Sequence, residues 1–333
     1  MRVILDAMGG DRAPDDVLEG VRLFRQEDRE TELLLVGPTD RLRDAAASLG
    51  IPLIHAPTVV GMQESPSSVV KSRRDSSIAV AVQMVREGRG DIVVSMGNSG
   101  ATTAFALFVL GRVPGVSRPC ICTLMPTSRE QCLLADVGAT VDCKPRHLLE
   151  WAVLGTVYMR EVMGRENPRV GLLSIGEEET KGTELIFAAG PMLAASGLNY
   201  VGHVEGVDIT NGKVDVVVCD GFVGNVVLKF GEGLAELFFM MLRRYLSDLP
   251  ERIEMAGVNG RLVSEFINQC DYTAYGGAPL LGVNGHVIIG HGRSDPRTIA
   301  SAIRTARETA RHAGLMEEMR EELERVRGVV AVA

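Results

Sequence analysis

Short apolar runs alternate with amphipathic helical segments along almost the whole chain, and this alternation leaves few folds open to it. "RVILD" passes to a helix expected from about Pro14, with Val17, Val21 and Phe24 on one face and Asp15 and Asp16 in its first turn. "ELLLVG", "IPLIHAP", "DIVVSMG", "RVGLLSIG", "NYVGHVEG" and "KVDVVVCDG" read as further strands. "NSGATTAFALFVLG" is apolar on nearly all sides and is expected to be a buried helix. Two runs, "RPCICTLMP" and "QCLLADVG", adjoin with no helix between them and predict a hairpin or two adjacent strands. Helical stretches are expected over about 223–247 and 251–268, and "SDP" at Ser294–Pro296 opens a long final helix. Such alternation calls for a mainly parallel sheet covered on both faces. No repeat or Pro/Gly/Ser-rich linker divides the 333 residues, so one α/β domain spanning 1–333, at most two-lobed, is expected.

Composition narrows the function. The chain is 46% hydrophobic and 23% charged with a formal charge of −8, which fits a large core and argues against nucleic acid as a partner. No window reaches the roughly 18 apolar residues of a spanning helix, and an opening that enters a strand at once predicts no secretory leader. The six cysteines form no Cys-x-x-Cys pair and are expected to be reduced thiols of a cytosolic protein, not a zinc site. Only five of the 35 basic residues are lysine: Lys71, Lys144, Lys181, Lys213 and Lys229. Where arginine is so favoured, a retained lysine suggests a place that needs a compact ammonium.

Ligands of parallel α/β sheets bind beyond the carboxyl ends of the strands. Six strand ends here share a style. Three end in Asp6, Asp136 and Asp220, two in Ser95 and Ser174, and "IIGHGRSD" closes the set. Each passes into small residues that let backbone N–H groups approach an anion. Singly, each is as easily a turn or a helix cap; on one predicted edge, together, they imply a polar site. No loop fits the P-loop, the dinucleotide fingerprint or the serine-hydrolase elbow. Lys181 in "EEETKGTE" is either solvated or the site's cation, and Lys71, Arg73 and Arg74 form either a solvated turn or a phosphate grip. Lys229 reads as covering its helix. Asn98 and Asn225 are neutral donors or left-handed loop residues, and His291 in "GHG" either moves a proton or satisfies a local backbone bond.

"DAMGGDRAP" closely resembles the N-terminal signature of the bacterial phosphate acyltransferases that convert acyl-acyl carrier protein to acyl phosphate for phospholipid synthesis. "SMGNSGA", "LADVGATVDCKPRHL", "PRVGLLSIGEEETKGTEL", "VDVVVCDGFVGNVVLK", "YGGAPLLGVNG" and "HGRSD" agree in order and spacing, from residue 2 to about 312. The resemblance implies a Rossmann-like α/β/α sandwich similar to the isopropylmalate dehydrogenase and phosphotransacetylase group. It also implies a cytoplasmic homodimer with peripheral membrane contact, acyl-acyl carrier protein and inorganic phosphate as substrates, and no cofactor. A helical hairpin at about 230–272 corresponds to the family's membrane-contacting segment; its charged residues are mostly acidic here, so contact with lipid should be mainly apolar. One departure is Arg12, where the family usually has histidine.

The implied reaction asks little proton chemistry. Phosphate has a second pKa near ~6 and supplies the dianion, and a thiolate with conjugate-acid pKa about 8.5 leaves without a strong acid. Positioning and electrostatics carry the demand. On this reading Lys181, Asn225 and Asp220 are the catalytic candidates. Asp6, Gly9, Gly10, Asp11, Asn98, Ser99, Gly100, Asp136 and His291 are the phosphate- and substrate-binding candidates. The strand-end aspartates alternatively hold Mg²⁺. Competing functions are an acyl-CoA-dependent phosphotransacetylase, a metal-dependent 2-hydroxyacid dehydrogenase, and a non-catalytic scaffold that binds acyl carrier protein through Arg297, Arg304, Arg307 and Arg311.

Overall fold

The computed structural model describes residues 1–247 and 276–330. Its strands are β1 (Arg2–Asp6), β2 (Glu32–Gly37), β3 (Leu53–His55), β4 (Ile92–Ser95), β5 (Cys120–Pro126), β6 (Gln131–Ala135), β7 (Val170–Leu173), β8 (Tyr200–Val204), β9 (Val216–Val218), β10 (Ala278–Leu281) and β11 (His286–Ile289). The helices are α1 (Asp15–Glu27), α2 (Thr39–Leu49), α3 (Pro66–Ser72), α4 (Ser77–Arg86), α5 (Ser99–Val109), α6 (Pro145–Glu161), α7 (Glu184–Ala194), α8 (Asp208–Asn211), α9 (Gly221–Ser247), α10 (Pro296–Ala310) and α11 (Leu315–Val330).

Local sequence accounts for many of the boundaries. Asp15 and Asp16 sit in the first turn of α1, where acidic groups favour the positive end of the helix dipole. Its Val17, Val21 and Phe24 are buried, as their spacing predicts. Gly50 ends α2 in the left-handed conformation at φ 64. Asp295 caps α10 by accepting the Thr298 N–H at 2.8 Å, and Pro296 occupies the first helical position.

All eleven strands form one sheet in the order β3-β2-β1-β4-β11-β10-β5-β6-β9-β7-β8. β3, β2, β1, β4 and β11 are mutually parallel, and so are β6, β9, β7 and β8. Three antiparallel pairings join the halves: β11 with β10, β10 with β5, and β5 with β6 as the expected hairpin. Three antiparallel steps reverse the direction, so the two parallel sets point opposite ways. The expectation that all six strand-end loops share one edge is therefore corrected.

Apolar cores lie on both faces. α6 is the most enclosed helix, with Trp151 and Tyr158 among the largest fully buried side chains. It packs with α7 and α11 over the second half of the sheet. α1, α2 and α10 cover one face of the first half. α4 and α5 contribute to the opposite face, although α5 is less enclosed than its composition suggests, because Phe108 is 59% exposed. α9 spans the first part of the hairpin expected at 230–272 and continues back to Gly221; the second part of that expectation lies outside the described residues.

Candidate active site

Opposed strands can still deliver their carboxyl ends to one place if the halves are staggered, and the register shows that they are. β11 ends at Ile289, opposite Ala278, the first residue of β10. β6 ends at Ala135, opposite Cys122 near the start of β5. β10 and β5 bridge the two, with Leu280 paired to Ile121. Loops from both halves thus meet over the middle of the sheet and enclose a cleft of about 940 Å³.

The first wall comes from β1, β4 and β11. Buried Asp6 accepts the Ser95 hydroxyl at 2.7 Å and the Met8 N–H at 3.2 Å, while Ser95 Oγ accepts the Gly97 N–H. Burial raises the Asp6 carboxyl above the usual carboxylate range, against its bonds to Ser77, Ser95 and Met8. The loops touch so closely that a Cβ on Gly9 would stand 2.7 Å from the Gly97 nitrogen. Asn98 caps α5 by accepting the Ala101 N–H, and its amide donates to the carbonyls of Gly61, Met62 and Glu64. Ser99, at the first turn of α5, lines the cleft. A Cβ on Gly100 would meet Pro66 Cγ at 2.6 Å, so this glycine lets α3 pack on α5.

The second wall comes from β6 and β9. Asp136 is fully buried, and its carboxylate accepts N–H bonds from Ile121, Gly138, Ala139 and Thr140. Burial still pushes this carboxyl up to about 6. Asp220 caps α9, accepting the N–H groups of Phe222 and Val223. Gly224 brings α9 onto the Asp136 loop; a Cβ there would fall 1.9 Å from the Asp136 carbonyl oxygen. The next residue, Asn225, and Lys229 one helical turn after it line the cleft. Lys229 Nζ pairs with Glu232 at 2.7 Å.

His291 faces this pair from the end of β11. Its Nδ1 accepts the Arg293 N–H at 3.2 Å, which assigns the neutral ring's proton to Nε2. Burial lowers its pKa below the ordinary histidine value, with Lys229 and Arg293 acting in the same direction. Arg293 and Ser294 also line the cleft. The polar end therefore offers a neutral N–H donor, an amide, an ammonium and a guanidinium around one cavity. These groups suit an anion and a developing oxyanion.

Of the residues expected at the site, Ser99, Asn225 and His291 line the cleft. Asp6, Gly9, Asn98, Gly100, Asp136 and Asp220 stand behind it as loop anchors, caps and close-approach points. Gly10, at φ +119, makes the turn in the first loop. Asp11 donates its N–H to the Gly292 carbonyl at 2.8 Å, tying the β1 loop to the β11 loop. Lys181 is exposed and does not line the cleft; its loop closes through its own carbonyl, which accepts the Ser174 hydroxyl at 3.1 Å. Arg12 is held on the surface of α1 by Asp16 at 2.8 Å. None of Lys71, Arg73 and Arg74 lines the cleft; Arg73 pairs with Glu64 and Arg74 lies over the Phe108 ring. The arginine patch on the last helices is largely neutralised, with Arg304 on Glu27, Arg307 on Asp28 and Arg311 on Glu308. Among the described residues no cluster of His, Cys, Asp and Glu suits a metal.

Arg293, Ser294, Glu232, Glu236 and Asp295 line the cleft without having been expected there, and Lys229, read from sequence as covering its helix, lines it too. A signal existed for Lys229: it lies four residues after Asn225, hence on the same helical face.

The family model described as "Fatty acid synthesis protein" matches residues 1–315. The chain is 46% identical over 334 residues to a phosphate acyltransferase of Desulforamulus reducens, covering 99% of each. It is 47% identical over 330 residues to one of Geotalea daltonii, covering 97% of this chain and 94% of the relative. Among solved structures, a phosphotransacetylase from Streptococcus pyogenes superimposes with TM-score 0.61 at 16% identity, covering 94% of both chains. A branched-chain phosphotransacylase from Enterococcus faecalis gives 0.59 at 13% identity, covering 92% of this chain and 99% of the other. At such identities the structures speak for the fold.

Proposed function

The chain belongs to the fatty acid synthesis protein family, and from that premise we propose that it is a phosphate acyltransferase, moving a fatty acyl group from acyl-acyl carrier protein to inorganic phosphate. The observation that carries this reading is the cleft itself: anion-binding groups at one end and an apolar strip at the other, while the Thr298 hydroxyl on Asp295 among its lining residues belongs to the α10 cap.

A phosphate oxygen attacks the thioester carbonyl, a C–O bond forms, and the C–S bond breaks. The proton carried by the phosphate passes to the departing thiolate, so no net proton is demanded of the protein. Lys229 and Arg293 hold the phosphate, with the open N–H groups of the first turn of α5 at Ser99 beside them. His291, through Nε2–H, and Asn225 donate to the oxyanion. Lys229, rather than Lys181, is the lysine of this mechanism.

Acyl phosphate, trapped as hydroxamate from acyl-acyl carrier protein and phosphate, is the direct assay. Acyl-CoA run alongside decides the donor, and a labelled acyl group retained on the protein without phosphate would refute direct transfer. No helix among the described residues is long and apolar enough to cross a membrane. The outward face of α9 nevertheless exposes Phe222, Val226, Phe230, Leu237 and Met241. We read this stripe as the contact between two copies of the chain, which light scattering tests, with vesicle flotation reporting any lipid contact.

A further inference from the structure

We propose that the strip between β5 and α9 is the channel for the acyl chain, and that Gly231, opposite Met125, sets the chain length accepted. This rests on the acyl-transfer reading above and names the part of the cleft that handles the substrate's apolar tail.

β5 and the first turns of α9 leave the polar end side by side. At that end Ile121 donates its N–H to Asp136 at 2.9 Å, and a Cβ built on Gly138 would lie 3.9 Å from Asn225. Further out, a Cβ on Gly231 would meet Met125 Cε at 3.4 Å and nothing else within 4 Å among the described residues. Beyond it the cleft continues to Phe238 and Phe239. Past Gly231 the lining is Leu234, Ala235, Phe238 and Phe239 with the carboxylates of Glu232 and Glu236 among them, so the wall becomes mainly aliphatic and aromatic carbon in the direction an acyl chain would run.

The lengths agree. Six helical residues from Asn225 to Gly231 span about 9 Å. At about 1.3 Å of advance per carbon–carbon bond, that places Gly231 beside roughly the seventh carbon of an extended chain. Thirteen residues to Phe238 give about 20 Å, the reach of a hexadecanoyl chain. Glycine at 231 leaves the passage open, and a larger side chain there has Met125 in front of it.

The test is the chain-length profile of Gly231→Leu, with butyryl-, octanoyl- and hexadecanoyl-acyl carrier protein as donors. Each methylene displaced from the channel costs about fourfold, so losing only three lowers kcat/KM for hexadecanoyl by about 60-fold while butyryl stays within about threefold of wild type. Gly233→Leu is the control. It makes the same change on the same helix, where a Cβ meets nothing within 4 Å among the described residues, and its profile is expected to match wild type. Met125→Ala is the second variant and shifts preference toward longer chains. A folded Gly231→Leu protein whose profile parallels wild type overturns the channel, and so does an equal fall for all three donors. Displacement of a fluorescent long-chain fatty acid separates the two readings. If wild type binds the probe and Gly231→Leu does not, while no donor yields acyl phosphate, the channel stands and the acyltransferase reading falls.

Discussion

Replacing Lys229 by methionine keeps the length and apolar stem of the side chain and removes only its charge. The ammonium lies in the cleft with Glu232 at 2.7 Å, and its side chain is 36% exposed. A unit-charge pair at 4 Å is worth about 4 kcal/mol at an effective dielectric of 20. Solvent at a site this exposed reduces that to about 2–3 kcal/mol, the scale of a hydrogen bond to a charged group. Lys229→Met is therefore expected to lower kcat/KM for phosphate by roughly 30- to 150-fold. Part of that loss comes from Glu232, which faces the phosphate as an uncompensated carboxylate once the lysine is gone. Lys229→Met with Glu232→Gln should recover about 1 kcal/mol, a non-additivity measurable as a double-mutant cycle. The assay is the initial rate of hydroxamate-trapped acyl phosphate at varied phosphate. A rise in KM alone marks a ground-state grip, and a matching fall in kcat marks contact with the oxyanion. Lys181→Met, in the same assay, is expected to stay within about threefold of wild type, as for an exposed residue remote from the chemistry. If Lys229→Met is as active as wild type toward phosphate, or Lys181→Met is the more damaged, the assignment is wrong.

Asp136→Asn keeps the shape but cannot accept four N–H bonds, and is expected to cost about 3 kcal/mol in urea unfolding. The folded carboxyl titrates at about 6 against an ordinary 3.8. Its contribution is thus fully present below about pH 4 and lost as pH rises through 6, so the gap between wild type and Asp136→Asn should change across that window and be flat above it. Gly224→Ala forces a Cβ against the Asp136 carbonyl oxygen and should lower stability by more than about 3 kcal/mol, or prevent soluble expression. Asn98→Ala removes the α5 cap and its three carbonyl contacts; a loss of about 2–4 kcal/mol by thermal unfolding is expected, with activity falling as the 61–64 loop detaches.

Much of the fold was legible in the chain. The alternation of strands and helices, the 120–135 hairpin, the buried face of α1 and the start of the last helix at "SDP" all follow from periodicity and capping, which are local properties. The strand-end style marked loops that border the cleft, and the resemblance supplied the expected reaction. Local pattern did not show which loops would meet. Strand direction depends on pairing between residues far apart in sequence, such as Ile121 with Leu280 and Ala278 with Ile289, and three antiparallel pairings turned one expected edge into two staggered ones. Nor could it separate the two lysines. Both stand near a strand-end loop in a chain poor in lysine, yet Lys229 is on the helical face that packs toward β5, while Lys181 is on a loop facing solvent. The aspartates show the same division: the sequence marks Asp6, Asp136 and Asp220 as polar groups at strand ends, and only the packed loops decide that backbone N–H groups and a serine hydroxyl satisfy them. Periodicity specifies which face of an element is apolar, whereas what a charged group meets is set by the elements that close around it.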